Sequence, residues 1–370
     1  MKITRIRLYK TPLPYVDGFY AWGAGNRIET AMASVVVIDT DTGLSGCGEF
    51  TPCGENYMVA HSEGVEALLR LVGPHLLGED PRQVGRIERL LDHLVQGHGY
   101  AKAPIEAACW DLLGKATEQP VWMLMGGKLT DGAPMYRVAP QRDVSETTKE
   151  LERHRTNGYR QFQIKVGADW VTDIDRIRAT VPLLKSGEKA TADANQGWRV
   201  DNALRVARAT RDLDYIMEQP CQTYEECQQV RRKTDLPMKL DECVTDMRMA
   251  QRIVADKGAD IVCLKLSNLG GLSKARRVRD FFLDNRIPVV SEDTWGGEIT
   301  TAAVAHFAAS TPEDFLINST DLMNYNTRST GIGGPTVSGG KLFASDEPGL
   351  GVEPDFDSLG APVASYGEAL

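Results

Sequence analysis

QFQIKVG at residues 161–167, KATADAN at 189–195, YIMEQP at 215–220, PMKLDE at 237–242 and IVCLKLS at 261–267 share one form. Each is a short apolar or β-branched run that reaches a charged residue near its end, and each is followed by a charged amphipathic stretch with helical spacing. Strand then helix, repeated about every 25 residues, builds a parallel sheet, because parallel neighbours need a crossover connection. Three further runs, PMYRVAP (134–140), PVVSED (288–293) and FLINST (315–320), bring the number of strands to eight. Eight βα units over about 190 residues satisfy a (β/α)8 barrel, whose active site lies at the C-terminal ends of the strands. A doubly wound open sheet fits less well, since no GxGxxG follows the first strand.

Ahead of the barrel, residues 3–13 and MASVVVIDTDTGLSGCGEF (32–50) read as strands, with a hairpin turn at Asp41–Gly43. Helical patterns follow over His61–Leu76, Pro81–Gln96 and Ala103–Glu118. Together they predict an α+β capping domain. The tail is rich in glycine and proline (GIGGPTVSGG, 331–340; DEPGLGVEPDFD, 346–357), so it reads as a return segment packing on the cap; it holds no GKS or GKT, which argues against a phosphate loop. The expected division is 1–125 for the cap, 126–321 for the barrel and 322–370 for the return segment.

The composition suits a globular protein with a sizeable core: 370 residues, 42% hydrophobic and 25% charged. Lysine plus arginine number 42 against 51 acidic residues, a net charge of −9, and no long basic run occurs. That balance argues against a nucleic-acid or anionic-membrane surface. The opening MKITRIRLYKTPLP resembles neither a signal nor a transit peptide, and no stretch approaches a membrane span, so a cytoplasmic location is expected. Seven scattered cysteines read as free thiols rather than disulfides or zinc ligands.

The strand ends carry Lys165, Asp193, Glu218, Asp241, Lys265 and Asp293, at separations of 28, 25, 23, 24 and 28 residues. Taken singly, Asp193 is also a good turn or helix-capping residue, and Glu218 a good surface charge. As a set, Asp193, Glu218 and Asp241 converge from the third, fourth and fifth strands. Three clustered carboxylates repel one another unless a cation joins them, and an all-oxygen set without histidine or cysteine suits Mg²⁺, one per active site. Lys165 and Lys265 stand four strands apart, on opposite sides of the mouth. A substrate between them is open to proton transfer on both faces, and the metal would stabilise an enolate of its carboxylate. The arrangement predicts proton abstraction α to a carboxylate of a small molecule.

QIKVG, DANQGW, EQP, LDE and CLKLSNLGGL, in that order, resemble the enolase superfamily, and specifically its muconate lactonizing enzyme subgroup. The resemblance covers nearly the whole chain. It implies that Asp193, Glu218 and Asp241 are metal ligands, that Lys165 and Lys265 are the acid/base pair, and that Asn195 helps to place the substrate carboxylate. It also implies a symmetric homo-oligomer. The subgroup usually has Lys-x-Lys on the second strand, whereas Gln163 fills the first position here and is assigned a hydrogen bond to substrate. The mandelate racemase branch ends its seventh strand with a histidine. SEDTWGG stands there instead, which disfavours that branch.

The family spans cycloisomerases, dehydratases, epimerases and racemases, so the fold does not choose the reaction. Asp293 and Asp321, at the seventh and eighth strand ends, are positioned to pair with a cationic amine. Tyr20 and Trp22 in FYAWGAGN and Tyr57 in GENYM, with Trp295, would close a small apolar pocket. The Asp-x-Asp of dipeptide epimerases is absent, since Leu322 and Met323 follow Asp321. The chain is also similar to family members acting on hydroxyproline and its betaines. That similarity implies either dehydration of cis-3-hydroxy-L-proline to Δ1-pyrroline-2-carboxylate or 2-epimerisation of 4-hydroxyproline betaine or proline betaine. A quaternary ammonium favours aromatic faces. The two aspartates, and Thr320 where an aromatic would be needed, favour a protonated amine and hence the dehydratase. A muconate-type cycloisomerase, a dipeptide epimerase and a non-catalytic ligand-binding barrel are remoter alternatives.

Overall fold

In the computed structural model, which describes residues 1–139 and 144–368, eight parallel strands follow one another around a single sheet in sequence order. They are Tyr136–Ala139, Gln161–Lys165, Lys189–Asp193, Ile216–Glu218, Met238–Leu240, Ile261–Lys265, Val289–Glu292 and Leu316–Ser319. A bridge between Met135 and Ser319 brings the last strand to the first, so the barrel is nearly closed. All eight expected strands are present, and their unbroken order excludes the doubly wound alternative. Pro140, the last residue of the expected first strand, lies outside the described residues. The strands are short and buried on both faces; in Ile261–Lys265 every residue is buried.

The cap is an antiparallel sheet in the order Ala364–Gly367, Ile3–Pro14, Thr30–Thr40, Ser45–Phe50. Its helices are Ser62–Leu76, Val84–Leu94 and Gly99–Thr117. The second starts later than its apolar spacing suggests, because Asp80 accepts from the Arg82 amide at 3.0 Å and holds a turn at Pro81. The third is buried on almost every side rather than along one stripe. It lies so close to Ser45–Phe50 that a Cβ at Gly46 or Gly48 would stand 2.4 Å from the Ala108 carbonyl oxygen or 2.0 Å from that of Pro104. The tail pairs Leu8 with Ala364 and Arg5 with Gly367 in the cap sheet. It also pairs Lys341–Phe343 with Ala133–Pro134 at the start of the barrel.

Two buried glutamates of the cap fasten it to the barrel. Glu49 accepts from the Gly297 and Thr300 amides at 2.8 and 3.0 Å, at the start of the helix Glu298–Ala309. Glu106 accepts from the Leu272 and Ser273 amides at 2.8 and 2.9 Å, at the start of Leu272–Asp284. Each carboxylate meets the unsatisfied N–H groups and positive dipole end of a barrel helix. Burial still holds both groups above the usual carboxylate range. No described helix is long and apolar enough to cross a membrane, and the seven cysteines are free.

Candidate active site

Register places the charged residues of neighbouring strands abreast at the C-terminal rim: Lys165 beside Asp193, Asp193 beside Glu218, Glu218 beside Lys239, and Lys265 beside Glu292. Asp241 follows the end of the fifth strand. Lysine and carboxylate pair at short range all around the mouth. Lys165 Nζ donates to Asp193 Oδ2 at 2.7 Å, and Lys265 Nζ to Asp241 Oδ1 and Oδ2 at 2.7 and 2.6 Å and to Glu292 Oε1 at 3.2 Å. Lys239 Nζ lies 2.7 Å from Glu218 Oε1.

The loops after the third and fourth strands are unusual. Asn195, Gln196 and Gln219 have φ of 42°, 68° and 32°, a left-handed backbone that non-glycine residues seldom adopt and that clusters at functional sites. Hydrogen bonds hold the strain in place. Asp193 Oδ1 accepts from its own Asn195 amide at 2.9 Å, so the turn role and the site role fall on different oxygens of one carboxylate. Gln219 Oε1 accepts from the Asp241 amide at 3.0 Å, tying the fourth strand end to the fifth.

Above the rim lies a small cavity walled by Tyr20, Trp22, Tyr57, Tyr136, Trp295 and Tyr325 and floored in part by Lys165, Asp193, Asn195, Asp241 and Glu292. Its aromatic cover is packed: Tyr20 meets Trp295 edge to face at 5.0 Å, and Trp22 meets Tyr57 at 6.1 Å. The loop carrying Tyr20 and Trp22 sits directly on the third strand end, where a Cβ at Gly23 would come within 2.2 Å of the Ala194 carbonyl oxygen. The Tyr57 hydroxyl donates to Asp241 Oδ2 at 3.3 Å.

Charge is unevenly compensated here. Formally, five buried carboxylates (Asp193, Glu218, Asp241, Glu242, Glu292) face three buried ammonium groups (Lys165, Lys239, Lys265), an excess of two negative charges. Burial, followed by the charge of Asp193, pushes Glu218 up to about 7. Burial alone would lower Lys165 and Lys265, but Asp193 beside Lys165 and Asp241 beside Lys265 overrule it and hold them well above the ordinary lysine range. Among the described residues, no three acidic, histidine or cysteine side chains converge on one cation position, each of the three acids being held by its own lysine. The donor set nevertheless fits a hard divalent cation: it is all oxygen and buried, and with Glu242 and Glu292 beside it the mouth carries two more carboxylates than ammonium groups.

Residues 146–358 match the enolase C-terminal domain-like family, and residues 24–126 match the N-terminal domain of mandelate racemase / muconate lactonizing enzyme. The chain belongs to the enolase superfamily. It is 45% identical over 366 residues to cis-3-hydroxy-L-proline dehydratase of Roseibium aggregatum, covering 99% of this chain and all of the relative. A solved mandelate racemase/muconate lactonizing enzyme structure from Roseovarius nubinhibens superposes with a TM-score of 0.97 at 78% identity, covering 100% of this chain and 99% of that one. A second structure from the same organism, complexed with magnesium, superposes at 0.95 with 34% identity, covering 99% and 100%.

Within this enolase-superfamily mouth the residues expected from sequence divide into three groups. Lys165, Asp193, Asn195, Asp241, Trp22, Tyr57 and Trp295 wall the cavity, as does Tyr20. Lys265, Glu218 and Gln163 are tied to lining residues: Lys265 to Asp241 and Glu292, with its Nζ 5.7 Å from the centre of the Tyr57 ring, and Glu218 through Gln163. Gln163 Nε2 donates to Asp193 Oδ2 and Glu218 Oε2, both at 3.1 Å, so this side chain braces two carboxylates where a direct substrate contact was expected.

Asp293 and Asp321, expected to pair with an amine, do not line this cavity. The Asp293 carboxylate is bound by the Ser267 hydroxyl, by the Ser267 amide at 3.0 Å and by the Thr294 amide at 2.7 Å. Asp321 Oδ2 is paired with Arg137 at 2.6 Å, across the seam where the first and last strands meet. The acid facing the cavity on the seventh strand is Glu292, one residue earlier. Glu292, Lys239, Tyr136 and Tyr325 were missed. The register of Glu292 against Lys265 shows its place only in the structure, because in the sequence the apolar pair Val289–Val290 hides which face each residue takes.

Proposed function

We propose that this enzyme removes the α-proton of cis-3-hydroxy-L-proline and expels its 3-hydroxyl, giving Δ1-pyrroline-2-carboxylate and water in a Mg²⁺-dependent reaction. The observation that carries the reading is the pair Lys165 and Lys265 on barrel strands four apart, each bonded to a carboxylate of the Asp193, Glu218, Asp241 set. The full-length relative of that activity supports the choice of substrate.

In the cis isomer the hydroxyl and the carboxylate share one ring face, so the α-hydrogen lies on the other. Proton and hydroxyl therefore leave from opposite faces, which calls for a base on one side and an acid on the other. One lysine, which would be free to lose its own proton once its carboxylate partner is engaged by the cation, takes the α-proton and leaves its electron pair at Cα. The other donates a proton to the departing hydroxyl oxygen as the C3–O bond breaks and the C2–C3 double bond forms. The resulting enamine gains a proton at C3 and loses one from nitrogen, which completes the cyclic imine. Asp193, Glu218 and Asp241 would hold the Mg²⁺, which when bound supplies stabilisation of the charge that builds on the substrate carboxylate. Asn195 would orient that carboxylate. Glu292 and the faces of Tyr20, Trp295 and Tyr325 would receive the ring ammonium.

One observation favours a second reading. With Asp293 and Asp321 turned away, the cavity wall is largely aromatic, as a quaternary ammonium prefers, and 2-epimerisation of 4-hydroxyproline betaine or proline betaine would use the same two lysines. Proton NMR in D₂O with Mg²⁺, run on cis-3-hydroxy-L-proline and 4-hydroxyproline betaine in parallel, separates them. Conversion of the first to a cyclic imine supports the dehydratase. Deuterium entering Cα of the second, with inversion, supports the epimerase and overturns the first reading.

A further inference from the structure

Glu242 follows Asp241 in the chain and is only 6% exposed. Its Oε1 accepts from Asn195 Nδ2 at 3.1 Å, while Oε2 has no hydrogen-bond partner among the described residues. Asp193, Glu218, Asp241 and Glu292 each hold a lysine; Glu242 forms no salt bridge among the described residues. A buried carboxylate oxygen with no hydrogen-bond donor is costly and calls for a group that completes it. Glu242 also lines a second cavity, of about 780 Å³ and open to solvent, which shares Trp22, Tyr57, Asn195 and Thr294 with the reaction cavity. It is joined to two of the candidate ligands: to Asp241 through the peptide bond, and to the Asp193 turn through Asn195.

We propose that Glu242 is a positioning residue whose Oε2 accepts a hydrogen bond from water in the shell of the divalent cation. This rests on the reading that Asp193, Glu218 and Asp241 hold that cation. Mg²⁺ surrenders its waters reluctantly and usually keeps several, and acceptors just outside the ligand set fix their orientation. The second cavity, open to solvent and lined by Glu242, would give such waters a route to it. Glu242 thereby answers for one part of the uncompensated negative charge at the mouth.

Glu242→Gln tests this closely, since its amide oxygen can still accept from Asn195 while an NH₂ group, a donor only, replaces Oε2. Mg²⁺ affinity is measured by titration calorimetry, and thermal melts are run with and without Mg²⁺. The expected result is a 10–100-fold weaker Mg²⁺ affinity, a metal-free melting temperature at or above that of the unmodified protein, and a smaller rise on adding Mg²⁺. Glu242→Ala, which removes both oxygens, is expected to lose at least as much affinity and stands in should the glutamine variant not fold. Equal Mg²⁺ affinity in the unmodified and variant proteins overturns the role of Glu242 alone, as does a lower metal-free melting temperature with unchanged affinity. An unmodified protein that binds no Mg²⁺ overturns the cation reading and this inference together.

Discussion

The Tyr57 hydroxyl, on a loop of the cap, donates to the carboxylate of Asp241 at the end of the fifth barrel strand, 184 residues away. The cover of the cavity is thus bonded to one of the acids on its floor. Tyr57→Phe keeps the ring as a wall and removes only this bond. A loss of about 1–2 kcal/mol, roughly tenfold in kcat/KM, is expected from steady-state kinetics. Tyr57→Ala also opens the wall and should fall further. A phenylalanine variant with unchanged kcat/KM would show the bond to be idle.

Lys165→Ala and Lys265→Ala should each lower kcat by about 10²–10⁴-fold, the usual worth of a placed acid or base. Exchange of the substrate α-hydrogen into D₂O tells them apart. It should vanish in the variant lacking the base and survive in the variant lacking the acid; survival in both contradicts the assignment.

Stereochemistry gives a prediction that needs no mutation. In trans-3-hydroxy-L-proline the α-hydrogen and the hydroxyl share one ring face, and two lysines on opposite sides cannot serve both. The trans isomer should turn over far more slowly than the cis isomer under identical conditions, and equal rates would argue against two-sided chemistry.

Removal of the cation should be reversible and complete. Dialysis against a chelator is expected to abolish turnover and added Mg²⁺ to restore it. Turnover that persists after thorough chelation would sink the enolate mechanism.

His306 gives the fold a pH dependence remote from the cavity. It is fully buried; Nδ1 accepts from the Trp122 amide at 3.2 Å and Nε2 faces the Leu350 carbonyl at 3.1 Å, which fixes the neutral ring. Burial lowers its pKa to about 4. The unfolded chain, titrating near the ordinary 6.5, binds the proton first as pH falls. The stability held by the neutral ring is therefore complete above about pH 6.5 and is lost between there and about pH 4, up to roughly 3 kcal/mol. Denaturant melts from pH 7 to 4 should show this slope, and His306→Phe should flatten it.

The strand-and-helix cadence made the barrel legible, because alternating runs of this length admit few other topologies. The carboxylates and lysines at strand ends were legible for the same reason, since each strand delivers its last residues to one rim. Glu292 was not: in PVVSED an apolar pair precedes two acids, and only contact with Lys265 shows which one faces inward. The Asp321–Arg137 pair was not legible either, because Arg137 comes from the far end of the barrel sequence and becomes a neighbour only when the sheet closes. Tyr136 and Tyr325 carry no local pattern separating a cavity wall from a core, and Gln163 revealed its bracing role only through the acids it bridges.

Glu49 and Glu106 bear on how the two parts of the molecule can be taken apart. Each completes the first turn of a barrel helix, so detaching the cap strips those turns of their acceptors while leaving two carboxylates without donors. Heating should melt cap and barrel in one cooperative calorimetric transition. The same contacts limit modular exchange: a cap grafted from a relative onto this barrel must bring acids that match both helix starts and the Thr330 hydroxyl, which Glu49 also binds at 3.0 Å. A chimera that respects the sheet but ignores those two side chains would join the chain without joining the domains.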